Sequence, residues 1–259
     1  MDATAPTQPP SPHICEQARR WVRRYGPARE SAPLLLCLPH AGGAATFYRP
    51  LADLIGNHAE VWVIQYPGRQ DRLREPFSES MGDLVRSVAA AVLALVGDRP
   101  ITLFGHSMGS LVGFEVANLL GLAGLCVQHL VASGRGAPSI PYSGNAATHS
   151  DDALVAELLR MEGTDPSLLA DPQLLELALP AVRADYRLLQ GHAVASDAMV
   201  ECPVTVLYGD RDPLAPSVEV LRWRHHSRHA VRFREFKGGH FYLVGHAREV
   251  AAEVIQCLR

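Results

Sequence analysis

Three residue types, at three places in this chain, could together carry out acyl transfer. The first is Ser107, in Gly105-His106-Ser107-Met108-Gly109. A run typical of a strand, Ile101-Thr102-Leu103-Phe104, leads into it, and an apolar helical pattern, Leu111-Val112-Gly113-Phe114-Glu115-Val116-Ala117, leads out. G-x-S-x-G at such a corner presents the serine on a sharp, strained turn. Glycines two before and two after carry no Cβ to collide with neighbouring backbone. The helix N-terminus aims N–H groups at the place where negative charge develops. A serine hydroxyl is a poor nucleophile unless a base takes its proton. Histidine has the right basicity near neutral pH, and a carboxylate holds its imidazole in the required tautomer.

The base and the acid are expected downstream, in the order Ser, Asp/Glu, His, each on a loop past a strand. Asp212 lies in Gly209-Asp210-Arg211-Asp212, beyond the run Val204-Thr205-Val206-Leu207-Tyr208. His240 lies in Lys237-Gly238-Gly239-His240, beyond the alternating Val231-Arg232-Phe233-Arg234-Glu235-Phe236. Asp210 competes with Asp212; the loop position favours Asp212 and leaves Asp210 to serve the turn. His40 and His106 sit inside tight motifs and read as packing or loop orientation. His225-His226-x-x-His229 has no carboxylate or cysteine at ligand spacing, so it reads as a solvated helix end, not a metal site. The oxyanion needs two donors. The Met108 amide follows the nucleophile, and the Ala41 amide lies in Pro39-His40-Ala41-Gly42-Gly43, just past the buried strand Leu34-Leu35-Leu36-Cys37-Leu38.

These residues need strand ends to hold them. Trp21-Val22-Arg23-Arg24-Tyr25 reads as an edge strand, and Val61-Trp62-Val63-Ile64-Gln65 as a buried one. Helices are expected at 47–55, Met81–Val96, from Ser110 to about Leu122, 217–226 and 246–258. Alternating strands and helices predict an α/β fold, with a mostly parallel sheet and helices on both faces. Between 139 and 200 the alternation gives way to helical patterns at 150–161 and 171–190, the latter broken or kinked at Pro180. That insertion is expected to form a lid over the site. Residues 1–15, with Pro6, Pro9, Pro10 and Pro12, read as a disordered leader, and 16–259 as a single domain.

The composition excludes several functions. A chain of 259 residues with 47% hydrophobic and 20% charged content is long enough for one large core. The net charge of −3 gives no support for nucleic-acid binding. No apolar run approaches the ~20 residues that span a bilayer. Five scattered cysteines, odd in number and without C-x-x-C, suggest reduced thiols in the cytoplasm. All basic residues but Lys237 are arginine.

Several stretches together resemble one family: Pro39-His40-Ala41-Gly42-Gly43, Tyr66-Pro67-Gly68-Arg69, the serine motif, Arg183-Ala184-Asp185-Tyr186, Gly209-Asp210-Arg211-Asp212 and Gly239-His240-Phe241. They look like the type II thioesterases, stand-alone α/β-hydrolases that accompany polyketide synthases and nonribosomal peptide synthetases. The chain departs from the family at Gly191-His192, where an aromatic is common. The resemblance implies an α/β-hydrolase fold and a monomer without cofactor or metal. It also implies hydrolysis of acyl thioesters on the phosphopantetheine arm of an acyl carrier protein or peptidyl carrier domain, which removes aberrant or stalled acyl units. The alternative is a carboxylesterase or lipase that uses the same triad on free esters. Carrier domains are usually acidic, so Arg69, Arg72 and Arg74, or Arg19, Arg20, Arg23 and Arg24, are candidate docking clusters.

Overall fold

A computed structural model of the chain describes residues 11–26, 32–144, 146–161 and 172–258. Seven strands form one sheet: β1 (Val22–Tyr25), β2 (Leu34–Leu38), β3 (Glu60–Ile64), β4 (Ile101–His106), β5 (Val127–Ser133), β6 (Val204–Gly209) and β7 (Val231–Phe236). Their order is β1-β3-β2-β4-β5-β6-β7. Only β1 runs antiparallel to its neighbour. Both predicted edge strands lie at the sheet margins, and β7 alternates exposed and partly buried positions.

Strands β2, β3 and β4 are buried at every position and mostly apolar because both faces are covered. Side chains alternate across the sheet. Leu34, Leu36, Leu38, Trp62 and Ile64 face one core, with helices α3 (Met81–Val96) and α4 (Met108–Leu122). Leu35, Cys37, Val61 and Val63 face the other, with α2 (Arg49–Ile55) and the C-terminal helix Ala247–Gln256. In the sheet, β3 and then β1 lie outward of β2 on one side, while β4 to β7 build the other side. Between β2 and β4 the strand order therefore reverses, and the loops at their C-terminal ends open a crevice.

Three elements differ from the sequence expectation. Residues 12–15, expected in a disordered leader, begin helix α1 (Pro12–Arg19). Proline at the first helical position is well placed, since its missing N–H is unsatisfied there anyway. Ser11 caps the helix by accepting from the Ile14 amide at 3.4 Å, and the buried Ala18 seats it. The remainder of the expected leader, 1–10, lies outside the described residues. The helix expected at 217–226 is a single turn, Ser217–Val220, followed by the tighter Leu221–His225. Between β5 and β6 lie α5 (Asp151–Arg160) and α6 (Pro172–Gln190), and α6 continues through Pro180. No helix among the described residues is long and apolar enough to cross a membrane.

Candidate active site

Ser107 stands between β4 and α4 with φ 55° and ψ −118°. Besides Gln70 it is the only described non-glycine residue with positive φ. The surrounding backbone enforces this strain. A Cβ on Gly105 would lie 2.1 Å from the Gly109 carbonyl oxygen, and one on Gly109 would lie 1.9 Å from that of Leu38. The Ser107 amide donates to Ser133 O at 2.7 Å, which ties the corner to the end of β5. Ser110 Oγ lies 2.8 Å from the carbonyl oxygens of both Gly105 and Ser133.

Asp212 and His240 meet across the loops after β6 and β7. His240 Nδ1 donates to Asp212 Oδ2 at 2.8 Å, and both residues are buried. The other carboxylate oxygen accepts the Leu214 amide at 2.9 Å. With Nδ1–H committed to the carboxylate, Nε2 is the ring atom left to act as a base. Asp210, the competitor, lies elsewhere: it accepts from Lys237 Nζ at 2.8 Å and from the Gly238 amide at 2.9 Å, closing the turn before His240. The His240 ring centroid lies 5.0 Å from that of His106, the residue before Ser107. The strand ends thus bring Ser107, Asp212 and His240 into one neighbourhood.

His106 and His40 are packing residues beside it. His106 is fully buried, and its Nδ1 lies 2.9 Å from Ser133 Oγ, which in turn lies 2.6 Å from the Tyr242 hydroxyl. Desolvation holds the His106 pKa well below the ordinary histidine range, reinforced by His240 and His40. Desolvation also lowers that of His40 to about 3, with His240 and Arg69 adding to the effect. Both rings are therefore neutral at physiological pH. His226 is a core residue as well, bonded to Ser139 Oγ and Ala198 O at 2.8 Å each, while His225 is exposed.

The loop after β2 is fastened on several sides. The Gly43 amide donates to His40 O at 2.9 Å, the Ala45 amide to Gln65 Oε1 at 2.7 Å, and the Tyr66 hydroxyl to Pro39 O at 3.3 Å. The Gly42 amide donates to Asp185 Oδ2, on α6, at 2.7 Å. The Ala41 and Met108 amides have no backbone acceptor among the described residues, and Met108 itself is fully buried. Gly42 has φ +73°, and a Cβ there would lie 2.4 Å from Val182 Cγ2. Its bareness serves the close approach of α6.

Sequence reasoning assigned no role to Asp185, although it stands in a motif that carried the resemblance. Asp185 is 3% exposed and grips Arg69 through two bonds, at 2.7 and 2.9 Å. The Asp185 charge keeps Arg69 firmly protonated against its own desolvation. The two residues stand in two of the quoted motifs, 116 residues apart, and nothing local links them.

That pairing also corrects the expected docking clusters. Arg69 and Arg72 are buried rather than solvated. Arg72 donates to Gln65 O and to Glu75 at 2.6 Å each and stacks over Trp21. In the second cluster Arg20 pairs with Glu75, Arg23 with Asp71, and Arg24 with Glu60. Arg74 and Arg19 are the exposed remainder.

Comparison with known proteins shows the family and the fold. Residues 33–258 match the thioesterase domain family. The probable cadicidin biosynthesis thioesterase of Streptomyces griseus is 42% identical over 94% of this chain and 67% of its own length. Thioesterase PikA5 of Streptomyces venezuelae is 40% identical over 90% of this chain and 84% of its own length. Among solved structures, the type II thioesterase BorB from the borrelidin biosynthetic cluster superposes with a TM-score of 0.86 at 39% identity, covering 93% of this chain and 98% of that one. The chain has the α/β-hydrolase fold and belongs to the thioesterase family, among the type II thioesterases of polyketide and nonribosomal peptide pathways.

Proposed function

We propose that this thioesterase hydrolyses acyl groups from the phosphopantetheine arm of an acyl carrier protein or peptidyl carrier domain, clearing aberrant or stalled units from a biosynthetic assembly line. The observation that carries the reading is the buried Asp212–His240 contact beside the strained Ser107, in a chain similar to BorB and PikA5. Ser107 Oγ attacks the thioester carbonyl while His240 Nε2 takes its proton. The amides of Met108 and Ala41 hold the oxyanion, each worth ~3 kcal/mol in the transition state. The thiol leaves with the proton from His240. Water, activated by the same imidazole, then attacks the acyl-enzyme and releases a carboxylic acid. Asp212 stabilises the imidazolium that forms in both halves. The segment 139–200 acts as the lid of the acyl chamber. In support, the described cavity beside Ser107 is lined by residues of this segment, among them Tyr142 and Tyr186.

The test is hydrolysis of a panel of acyl groups on one phosphopantetheinylated carrier protein, set against free oxygen esters of the same acids. The carrier thioesters are expected to turn over faster. Ser107→Ala should lower kcat by ~10⁶ with the fold intact, as loss of a serine nucleophile does elsewhere. Retained turnover in that variant would remove Ser107 from the mechanism.

A further inference from the structure

Ser107 opens into a cavity of about 400 Å³, and part of its wall is charged. Arg135 and Glu219 both line it. Neither is an incidental surface residue, because their backbones are pinned on either side of the cavity wall. The Arg135 carbonyl accepts Trp223 Nε1 at 3.1 Å, and the Glu219 carbonyl accepts the Ala137 amide at 3.1 Å. Trp223 is fully buried, so this wall is rigid.

The side chain of Arg135 is anomalous. Its Nε is shut off from solvent and has no hydrogen-bond partner. Among the described residues no carboxylate lies within ion-pair distance of its guanidinium, in contrast to Arg69, Arg72 and Arg99. Desolvation lowers its pKa to about 10, with the Glu219 and Tyr142 side chains acting the other way. It is therefore a cation at neutral pH. Buried donors in folded proteins are nearly always paired, and the buried Nε–H is one of the five donors that a guanidinium presents in a fixed fork. An unpaired fork beside a nucleophile is a binding group waiting for an acceptor.

We propose that Arg135 is the acyl-recognition residue of this chamber. It takes a keto or hydroxyl oxygen on the acyl chain and so favours oxygenated acyl groups over plain alkyl groups of the same length. The nearby Glu219 carboxylate offsets the cation, which favours a neutral oxygen over a second carboxylate. This rests on the thioester-hydrolysis reading and names the substrate class of the same site. A purely alkyl chain leaves the guanidinium desolvated and unpaired, and a site built for an oxygen discriminates strongly against its absence.

The experiment compares butyryl, 3-hydroxybutyryl and 3-oxobutyryl thioesters of N-acetylcysteamine, with wild-type protein and with Arg135→Met, which keeps the apolar stem and removes the fork. Wild type is expected to favour the two oxygenated chains by ~10- to 100-fold in kcat/KM, the range for a charge-assisted hydrogen bond. In the variant that preference should fall to within about threefold of unity. Labelling of Ser107 by a fluorophosphonate at the wild-type rate reports an intact site. If Arg135→Met does not fold, Glu219→Gln carries the test: with the cation no longer offset, malonyl thioester should gain on 3-hydroxybutyryl by about tenfold. Equal use of the three chains by wild type overturns the proposal but leaves the thioesterase reading standing. So does an equal loss on all chains in Arg135→Met, or an unchanged malonyl ratio in Glu219→Gln. Failure of wild type to cleave any thioester, together with no labelling of Ser107, overturns the reading beneath it.

Discussion

Asp212 accepts one bond from His240 and one from a backbone amide, both in a dry setting. Asp212→Asn keeps the shape and loses the charge that holds the Nδ1–H tautomer. In the Ser-His-Asp template that change lowers kcat by ~10⁴ with geometry preserved. The same loss is expected here, with KM for a small thioester within about threefold, read from steady-state kinetics. The neutral histidines make a second prediction. His40, His106 and His129 all have folded-state pKa values below that of an unfolded histidine, chiefly through desolvation, with His40 at about 3 and His129 at about 4. Between those values and the unfolded ~6.5 the unfolded chain binds more protons than the folded one, so stability rises with pH across that window. The stabilisation is complete above the unfolded pKa and lost progressively below it. Thermal melts should show Tm falling from pH 7 to pH 4.5; a flat Tm over that range contradicts the assignment of buried neutral rings.

At the scale of elements, the Arg69–Asp185 pair joins the turn after β3 to α6, and through the Gly42 amide it also holds the loop after β2. Removing one member leaves the other charged and buried, which costs ~3–5 kcal/mol in comparable pairs. Asp185→Asn should therefore lower the urea midpoint markedly and reduce kcat more than it changes KM, because the loop that carries the Ala41 amide loses an anchor. Arg69→Met with Asp185→Leu should recover most of the stability; if the double variant is as unstable as the sum of the singles, the pair is not coupled. None of this was legible in the sequence, although both residues stood in motifs it singled out. The serine corner, Asp212 and His240 could be located because each is set by a few neighbours in the chain: a strand, its terminal loop, a glycine where a Cβ would collide. The Arg69–Asp185 bond depends on the docking of an inserted helix and has no local signature. The misreading of Arg69 and Arg72 has the same origin, since an arginine is solvated by default until a distant carboxylate or carbonyl is packed against it. At the N-terminus proline was read as disorder where it opens a helix, because Pro12 suits either and only the packing of Ala18 decides.

At the scale of the whole molecule, these tethers bear on which part of the proposed lid can move. Helix α6 touches the body at Val182 against Gly42, at Asp185 against Arg69, and just past its end at His192 against Glu115 of α4. In and next to helix α5, Leu154 and Met161 are the well-buried positions among the described residues, and its start is held to α6 through Arg183, which bonds Asp151 and the carbonyls of Ala147 and His149. The proposed lid therefore has two parts: α6, fixed to the loop after β2, and α5, tied to α6 at its start. A swing of the whole insertion would break a buried ion pair, whereas displacement of α5 alone leaves that pair in place and gives up the core contacts of Leu154 and Met161. Amide exchange should report this directly, since local opening free energies follow buried contact and buried hydrogen bonding. Amides of 181–190 are expected to exchange near the rate of the central strands, and those of Asp151–Arg160 at least about tenfold faster. Equal exchange in the two helices would mean that the insertion opens as one body, the Asp185 tether included.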